Sequence, residues 1–442
     1  MASETFTLEL VSPAFLAGAD QSSAESCELR VPSLRGQLRW WWRTLHAAHV
    51  DVPTLRRLEA AVWGSTDAAS PVRLSLKPVK PPKVSLFDHK EKSRPKPQFE
   101  KAHNLVRPPN NKTTQGLFYL AYGMDENIKE HGKTIRKQRY YLEPGGRWDL
   151  GMICREGRFP VDAKNGKPIA TELIERQARA AVSLLCRYGG VGSKARKGFG
   201  SFGEFKGNID EEACRKGAYD LRKACLPEGY KAPVKFETPS RDHALPPIEI
   251  PLGTTDPWNA LDRLGFAVQG YAQHYAHKER KEALGLPRRI HGPHSSAATW
   301  LGSSHPYLGK TAPKDFRHAA PVHYHLGKGN NGTLLVRVIA FPSSVLPDAG
   351  TSDTVLKGLL AHIEANLGPS TTAPAVGAPS AGAGKQPPAG APALRFRKGQ
   401  RVRVGEEEAT VLDPRPGRNG MIYVNFEYGS EEVDPKDCTL LD

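Results

Sequence analysis

The run GGVGSKARKGFGSF, Gly189 to Phe202, sets five glycines beside three bases. Lys194, Arg196 and Lys197 can neutralise phosphates, and glycines let a ligand chain come close to the backbone. An extended phosphodiester suits such a loop, and Phe199 or Phe202 could stack a base, although one of the two also suits the core. Nucleotide cofactors suit it poorly. Gly190, Gly192 and Ala195 form a degenerate dinucleotide fingerprint, but that motif follows a strand and opens a helix, and the order here is helix, loop, strand. The chain has no GxxxxGK[ST] phosphate loop. No cofactor is therefore expected.

The second set of chemical residues lies in SLRGQLRWWWRTLHAA. Helical spacing over Leu34 to Ala48, with Ser33 as cap, puts Leu34, Leu38, Trp41, Trp42 and Leu45 on one apolar face. Arg35, Arg39, Arg43 and His46 fall on the adjacent face with no acidic partner in the run, so an anion is expected against it. Gly36 costs the helix about 1 kcal/mol relative to alanine and marks close approach by another chain. Histidines gather at His291, His294, His305, His318, His323 and His325. A metal-free ribonuclease needs a base of this type near a 2′-hydroxyl. No carboxylate or cysteine pair accompanies them as metal ligands, and no HExxH or GxSxG string occurs, so neither a metal site nor catalysis is expected.

The elements that must hold these residues follow from pattern. The chain has 442 residues, enough for two or three domains, and a net charge of +15, which favours a polyanionic partner. It has no apolar run of spanning length and no signal-peptide pattern, and its six cysteines are scattered. Reduced thiols, a cytoplasmic location and no membrane partner are expected. Residues 367–393, rich in Pro, Gly, Ala and Ser, read as a flexible linker. Residues 394–442 carry about −2 and four short strands, which fits a small SH3-like or Tudor-like β-barrel.

Upstream, TFTLELVSPAF, VRLSLKPV, GLFYLAYGM, RYYLEPGGRWDLGMI and SFGEFKGNI read as strands, and Pro53 to Trp63 and TELIERQARAAVSLLCRYGG as helices. Residues 77–112 read as a basic surface insertion. From Pro247 a second α/β unit starts, with PIEIPLG and TLLVRVIAFPS as strands and helices over 256–277 and 354–366. The class is α+β.

In order along the chain, LELVSPAFLAGAD, ELRVPSLRGQLRWWWR, EAAVWGS, GLFYLAYGM and GGVGSKARKGFGSF resemble the RAMP proteins of type III-B CRISPR–Cas complexes. The likeness is to the head subunit that comes first in the Cmr series. RHAAPVHYHL and LLVRVIAFPS resemble its second domain. The resemblance implies two ferredoxin-like, RRM-related domains, over 1–240 (with the glycine-rich loop at 189–203) and 241–366. It implies guide RNA (crRNA), target RNA and the other Cmr subunits as partners, contact with the 3′ part of the guide and the 5′ part of the target, and no catalysis by this subunit. Carried over by motif, the RNA contacts would be Arg35, Gln37, Arg39, Arg43, Gly192, Lys194, Arg196, Lys197 and Gly198. The rival reading is a RAMP-type endoribonuclease that processes precursor RNA with a clustered histidine or Lys194.

Overall fold

A computed structural model of the chain describes residues 2–18, 20, 23–87, 103, 105, 115–130, 133–161, 165–231, 239–274, 284, 320–329, 331–342, 349–368, 400–404, 407–413, 422–426, 429–433 and 438–441. His291, His294, His305 and His318, most of the linker and most of the basic insertion lie outside them. The chain divides into two compact units, residues 1–372 and 373–442.

In chain order the larger unit holds β1 (Ala2–Glu9), α1 (Val31–Thr44), α2 (Val52–Trp63), β2 (Val72–Lys80), β3 (Val84–Phe87), α3 (Gln115–Leu120), β4 (Asp125–Glu130), β5 (Lys133–Leu142) and β6 (Arg147–Cys154). There follow β7 (Gly157–Pro160), β8 (Gly166–Ile169), α4 (Thr171–Tyr188), α5 (Glu211–Cys225), β9 (Ile248–Pro251), α6 (Pro257–His274), β10 (Val322–Lys328), β11 (Leu334–Ala340) and α7 (Ala349–Leu367).

Two cores organise this unit. In the first, the antiparallel sheet β1-β6-β2 carries α1, α2, α4 and α5, and Leu34, Leu38, Trp41, Trp42 and Leu45 are buried as the helical period predicts. In the second, the sheet β10-β11-β9 carries α3, α6 and α7. Complete burial of residues such as Trp41, Trp42 and Leu38 stabilises the fold by about 1.5–3 kcal/mol per large side chain. All six cysteines are buried free thiols, and burial pushes Cys154, Cys214 and Cys225 up to about 12, which keeps them protonated and inert.

Several expectations are corrected. Helix α1 starts at Val31, because Pro32 presets the first turn. Ser33 therefore sits inside that turn and caps nothing. GLFYLAYGM is not a strand: its first half is α3, which buries Leu117 and Leu120 at helical spacing, with Ala121 buried just past its end. Glycines let α3 meet α6 backbone to backbone, since a Cβ on Gly116 would lie 1.9 Å from the Asp262 carbonyl oxygen. SFGEFKGNI forms no strand and pairs only through the bridge of Phe202 to Leu10.

Among its described residues the smaller unit has five antiparallel strands where four were expected: β12 (Arg401–Val404), β13 (Glu407–Asp413), β14 (Ile422–Phe426), β15 (Gly429–Val433) and β16 (Cys438–Leu440), in the order β15-β14-β13-β12-β16. The run MIYVNFEYG ends one strand and starts the next. Val402, Val411, Ile422 and Val424 form the centre of its core.

Candidate nucleic-acid interface

Helix α1 presents three faces. The apolar one is buried. A second turns to α2 and β2, where Arg39 and Arg43 both donate to Glu59 Oε1, at 2.6 and 2.7 Å. Glu59 is itself buried. Arg35 donates to Ser70 Oγ at 3.1 Å and to the Val72 carbonyl at 3.2 Å. The arginine row thus has an acidic partner, contrary to the expectation from the helix alone, and it comes from a neighbouring helix. His46 leaves this row too. It is buried and stacked on Trp42, its Nε2 lies 3.2 Å from Gln177 Oε1, and burial followed by the Arg222 charge hold its pKa well below the ordinary value.

The third face carries Gly36, Gln37, Trp40 and Arg43, at the i, i+1, i+4, i+7 spacing of one helix side. It forms one wall of an open groove of about 580 Å³. The opposite wall is the glycine-rich loop, through Gly190, Gly192, Lys194, Ala195, Arg196 and Lys197, and Ala320 and His323 close the end. No carboxylate is among these lining residues. Gly36 is exposed, and a Cβ built on it meets nothing within 4 Å, so the missing side chain leaves the groove open at this point.

The loop owes its shape to its glycines. Gly192, Gly198 and Gly200 have φ of 82, 85 and 68°, in the left-handed region. A Cβ on Gly192 would lie 2.3 Å from the Phe15 carbonyl oxygen, and one on Gly200 2.0 Å from that of Val191. Two of the glycines are thus required by the protein's own backbone. Bonds from Ser193 N to Phe15 O and from Gly200 N to Pro13 O fasten the loop to the segment after β1. Buried hydroxyls add to this: Ser12 and Ser201 both donate to the Gly198 carbonyl. Lys194 also takes a left-handed φ, 63°, a rare state for a residue with a side chain. Its carbonyl accepts from Lys197 N at 2.7 Å, closing a turn that turns the three bases together.

Two bases of this loop, Arg196 and Lys197, rest on neutral partners. Arg196 donates to the Ala320 carbonyl at 3.0 Å and lies 5.7 Å over the Trp40 ring. Lys197 lies 5.5 Å over the Tyr324 ring. Burial, and then the Lys194 and Arg196 charges, push Lys197 down to about 8, and burial lowers Arg196. Neither shift has a carboxylate among its causes. His323 stacks on Trp40 with ring centres 4.5 Å apart, and burial followed by the Arg196 and Lys197 charges keep it neutral. A pre-formed row of partly desolvated cations beside an aromatic wall suits a phosphate chain and its bases.

Of the nine residues carried over by motif, the groove unites Gln37, Arg43, Gly192, Lys194, Arg196 and Lys197. Arg35 and Arg39 turn to β2 and α2, and Arg43, at the edge of the groove, is paired with Glu59 of α2 as well. Gly198 is buried beneath the loop, against Leu261 and Tyr324. Phe199 and Phe202 are both fully buried, Phe199 in the second core and Phe202 in the first, so neither is open for stacking. His325 is buried with Nδ1 2.6 Å from the Gly189 carbonyl, and burial pushes it down to about 4. The aromatic wall of Trp40 and His323 was not singled out as a site. Its one signal was the i, i+4 spacing of Trp40 from the odd glycine, Gly36.

A model of the RAMP superfamily matches residues 7–203, from within β1 to just past the glycine-rich loop. Over this region, a little under half of its length, the chain is similar to the RAMP superfamily. Among curated proteins it is similar to two CRISPR system Cmr subunits of Pyrococcus furiosus. To Cmr1-1 it is 33% identical over 93 residues, which is 20% of this chain and 27% of that subunit. To Cmr1-2 it is 23% identical over 208 residues, 44% of this chain and 91% of that subunit. The chain thus spans only about a quarter of the first relative and nearly all of the second.

Among solved structures it is similar to the apo form of Cmr1 from Pyrococcus furiosus, with a TM-score of 0.46, 18% identity, and 78% of this chain and 89% of that one covered. It is also similar to a chain of a type III-B Cmr-beta complex bound to cognate target RNA, with a TM-score of 0.47, 12% identity, and 81% and 99% covered.

Proposed function

We propose that the chain is an RNA-binding, non-catalytic subunit of a type III-B CRISPR RNA-guided complex, and that the groove between α1 and the glycine-rich loop is where it holds RNA. The carrying observation is the charge of that groove. Among the described residues, Lys194, Arg196 and Lys197 line it and no carboxylate does. Such a site binds through phosphates, so its affinity falls steeply with salt and depends little on sequence.

The RAMP match over the same residues supports the assignment to a Cmr-type complex, with other Cmr subunits, guide RNA and target RNA as partners. In this reading the subunit sits at the head, beside the 3′ part of the guide and the 5′ part of the target, in the cytoplasm. Its larger unit is a pair of ferredoxin-like domains and its smaller one an SH3-like barrel that tethers protein and leaves RNA alone. The endoribonuclease reading has less support: burial lowers the pKa of His323 and His325, the two clustered histidines within the described residues, and so makes both weak bases.

Changing Lys194, Arg196 and Lys197 together to glutamate tests the assignment, measured as binding of guide RNA by the purified chain and by the assembled complex. Weakening across all sequences is expected. Parental affinity in the triple variant would falsify the reading. Incubation with labelled precursor RNA tests the non-catalytic part, for which no product is expected.

A further inference from the structure

A smaller cleft of about 240 Å³ lies on the other side of the same loop, lined by Phe15, Leu16, Ala17, Ser33, Met124, Arg139, Tyr140, Gly192 and Ser193. The two clefts have one residue in common, Gly192. They also border the same helix, at Ser33 for the smaller and at Gly36 and Gln37 for the larger, one helical turn apart. From Ser33 to Arg43 this side of α1 runs about 15 Å, at 1.5 Å per residue. Gly192 forms the ridge between the clefts, and it carries no side chain. A Cβ there would point inward at the Phe15 carbonyl, so what faces outward is bare backbone.

We infer that the smaller cleft is a second subsite for the same single RNA strand, which crosses the Gly192 ridge from the Lys194–Lys197 cations and places its next base against Tyr140. This rests on the RNA reading of the larger groove. The lining suits a nucleotide. Phe15, Leu16 and Met124 supply an apolar floor, half-buried Tyr140 a π-face, Arg139 a cation, and Ser33 and Ser193 hydroxyls. Among the described residues that line it there is no carboxylate. Two pockets divided by a ridge of backbone need a chain that can bend and splay its bases, so the ligand is single-stranded. The geometry also explains why the ridge must be glycine: its left-handed φ of 82° and the approach to Phe15 O both exclude a side chain.

The test uses the full chain and single-stranded RNA oligomers of graded length, with Ser33→Tyr to fill the cleft and Arg139→Glu to reverse its charge. Unfolding curves that match the parent's show that both variants are folded. In the parent, affinity should rise with length until both subsites are filled. In the two variants this last gain should disappear, a loss of about tenfold for the long oligomer by base–aromatic stacking alone, with the shortest binding oligomer held as before.

A parent chain that binds no oligomer would refute the groove reading itself. Short-oligomer binding with an unchanged length dependence in both variants would overturn the subsite alone. So would normal RNA binding combined with failure to assemble with partner subunits, which would assign the cleft to a protein contact.

Discussion

The arginines of α1 and the bases of the glycine-rich loop look alike in sequence, and the fold uses them differently. Arg39 and Arg43 share one buried carboxylate, Glu59, and Arg35 is tied to β2. Arg196 and Lys197 lie on a carbonyl and on aromatic faces, which leave their charge uncancelled. A row of bases is therefore left available to an anion only where no other element brings an acid to it. Pairing within α1 does not decide that; the packing of α2 against it does.

The largest effect expected from this contrast is on RNA affinity. Reversing Lys194, Arg196 and Lys197 removes three phosphate contacts and installs repulsion, and filter binding should show a loss of at least about 100-fold with a much shallower salt dependence. The Arg39→Ala, Arg43→Ala double variant should act on stability instead. It strands Glu59 as a buried, unpaired carboxylate, and denaturant titration should read a loss of about 3 kcal/mol, toward the low end for buried pairs because both arginines are about a third exposed. RNA affinity should fall far less than in the triple variant. If the two variants lose RNA affinity equally, the contrast between the rows is wrong.

A smaller effect concerns pH. Lys197 is lowered to about 8, so it is charged below that pH and increasingly neutral above it in the free protein. A bound phosphate favours the charged form, and binding above pH 8 must then take up a proton. Affinity should fall as pH rises through 8, by up to about tenfold per pH unit in the limit of one proton taken up. The Lys197→Arg variant, which stays charged, should lose this dependence. In the absence of RNA the sign for stability is the reverse. Folding disfavours the charged form, so stability is lower below pH 8 and increases as pH rises from about 8 toward the ordinary lysine value.

Much of this was legible in the sequence. The stripe from Leu34 to Leu45 has a 3.6-residue period, so the buried tryptophans could be read from spacing alone, and Gly189 marked the end of α4 correctly. The groove was legible in part. Its cations sit together in one loop, but its other wall needs α1 and β10 to meet, as the Trp40–His323 stack shows, and residues 283 apart leave no local trace of that contact. Glu59 was missed for the same reason. On α2 it reads as one polar residue of an amphipathic helix, and only the packing of α2 on α1 buries it between two arginines. The misreading of α3 has a different cause: a six-residue apolar run rich in aromatics suits a strand equally well, and two glycines meeting across α3 and α6 decide it.

Gly36 offers the most direct measurement of the central claim, that RNA lies in the groove between α1 and the loop. Its Cβ direction is open, so substitution there costs no packing, and the helix gains about 1 kcal/mol on Gly36→Ala. Single-stranded RNA affinity should be compared in the full chain for the parent, Gly36→Ala and Gly36→Trp. The account predicts parental binding for the alanine variant and a loss of about tenfold or more for the tryptophan variant, whose ring would stand where the strand passes, with both variants folded. A folded Gly36→Trp protein that binds RNA as tightly as the parent would contradict it.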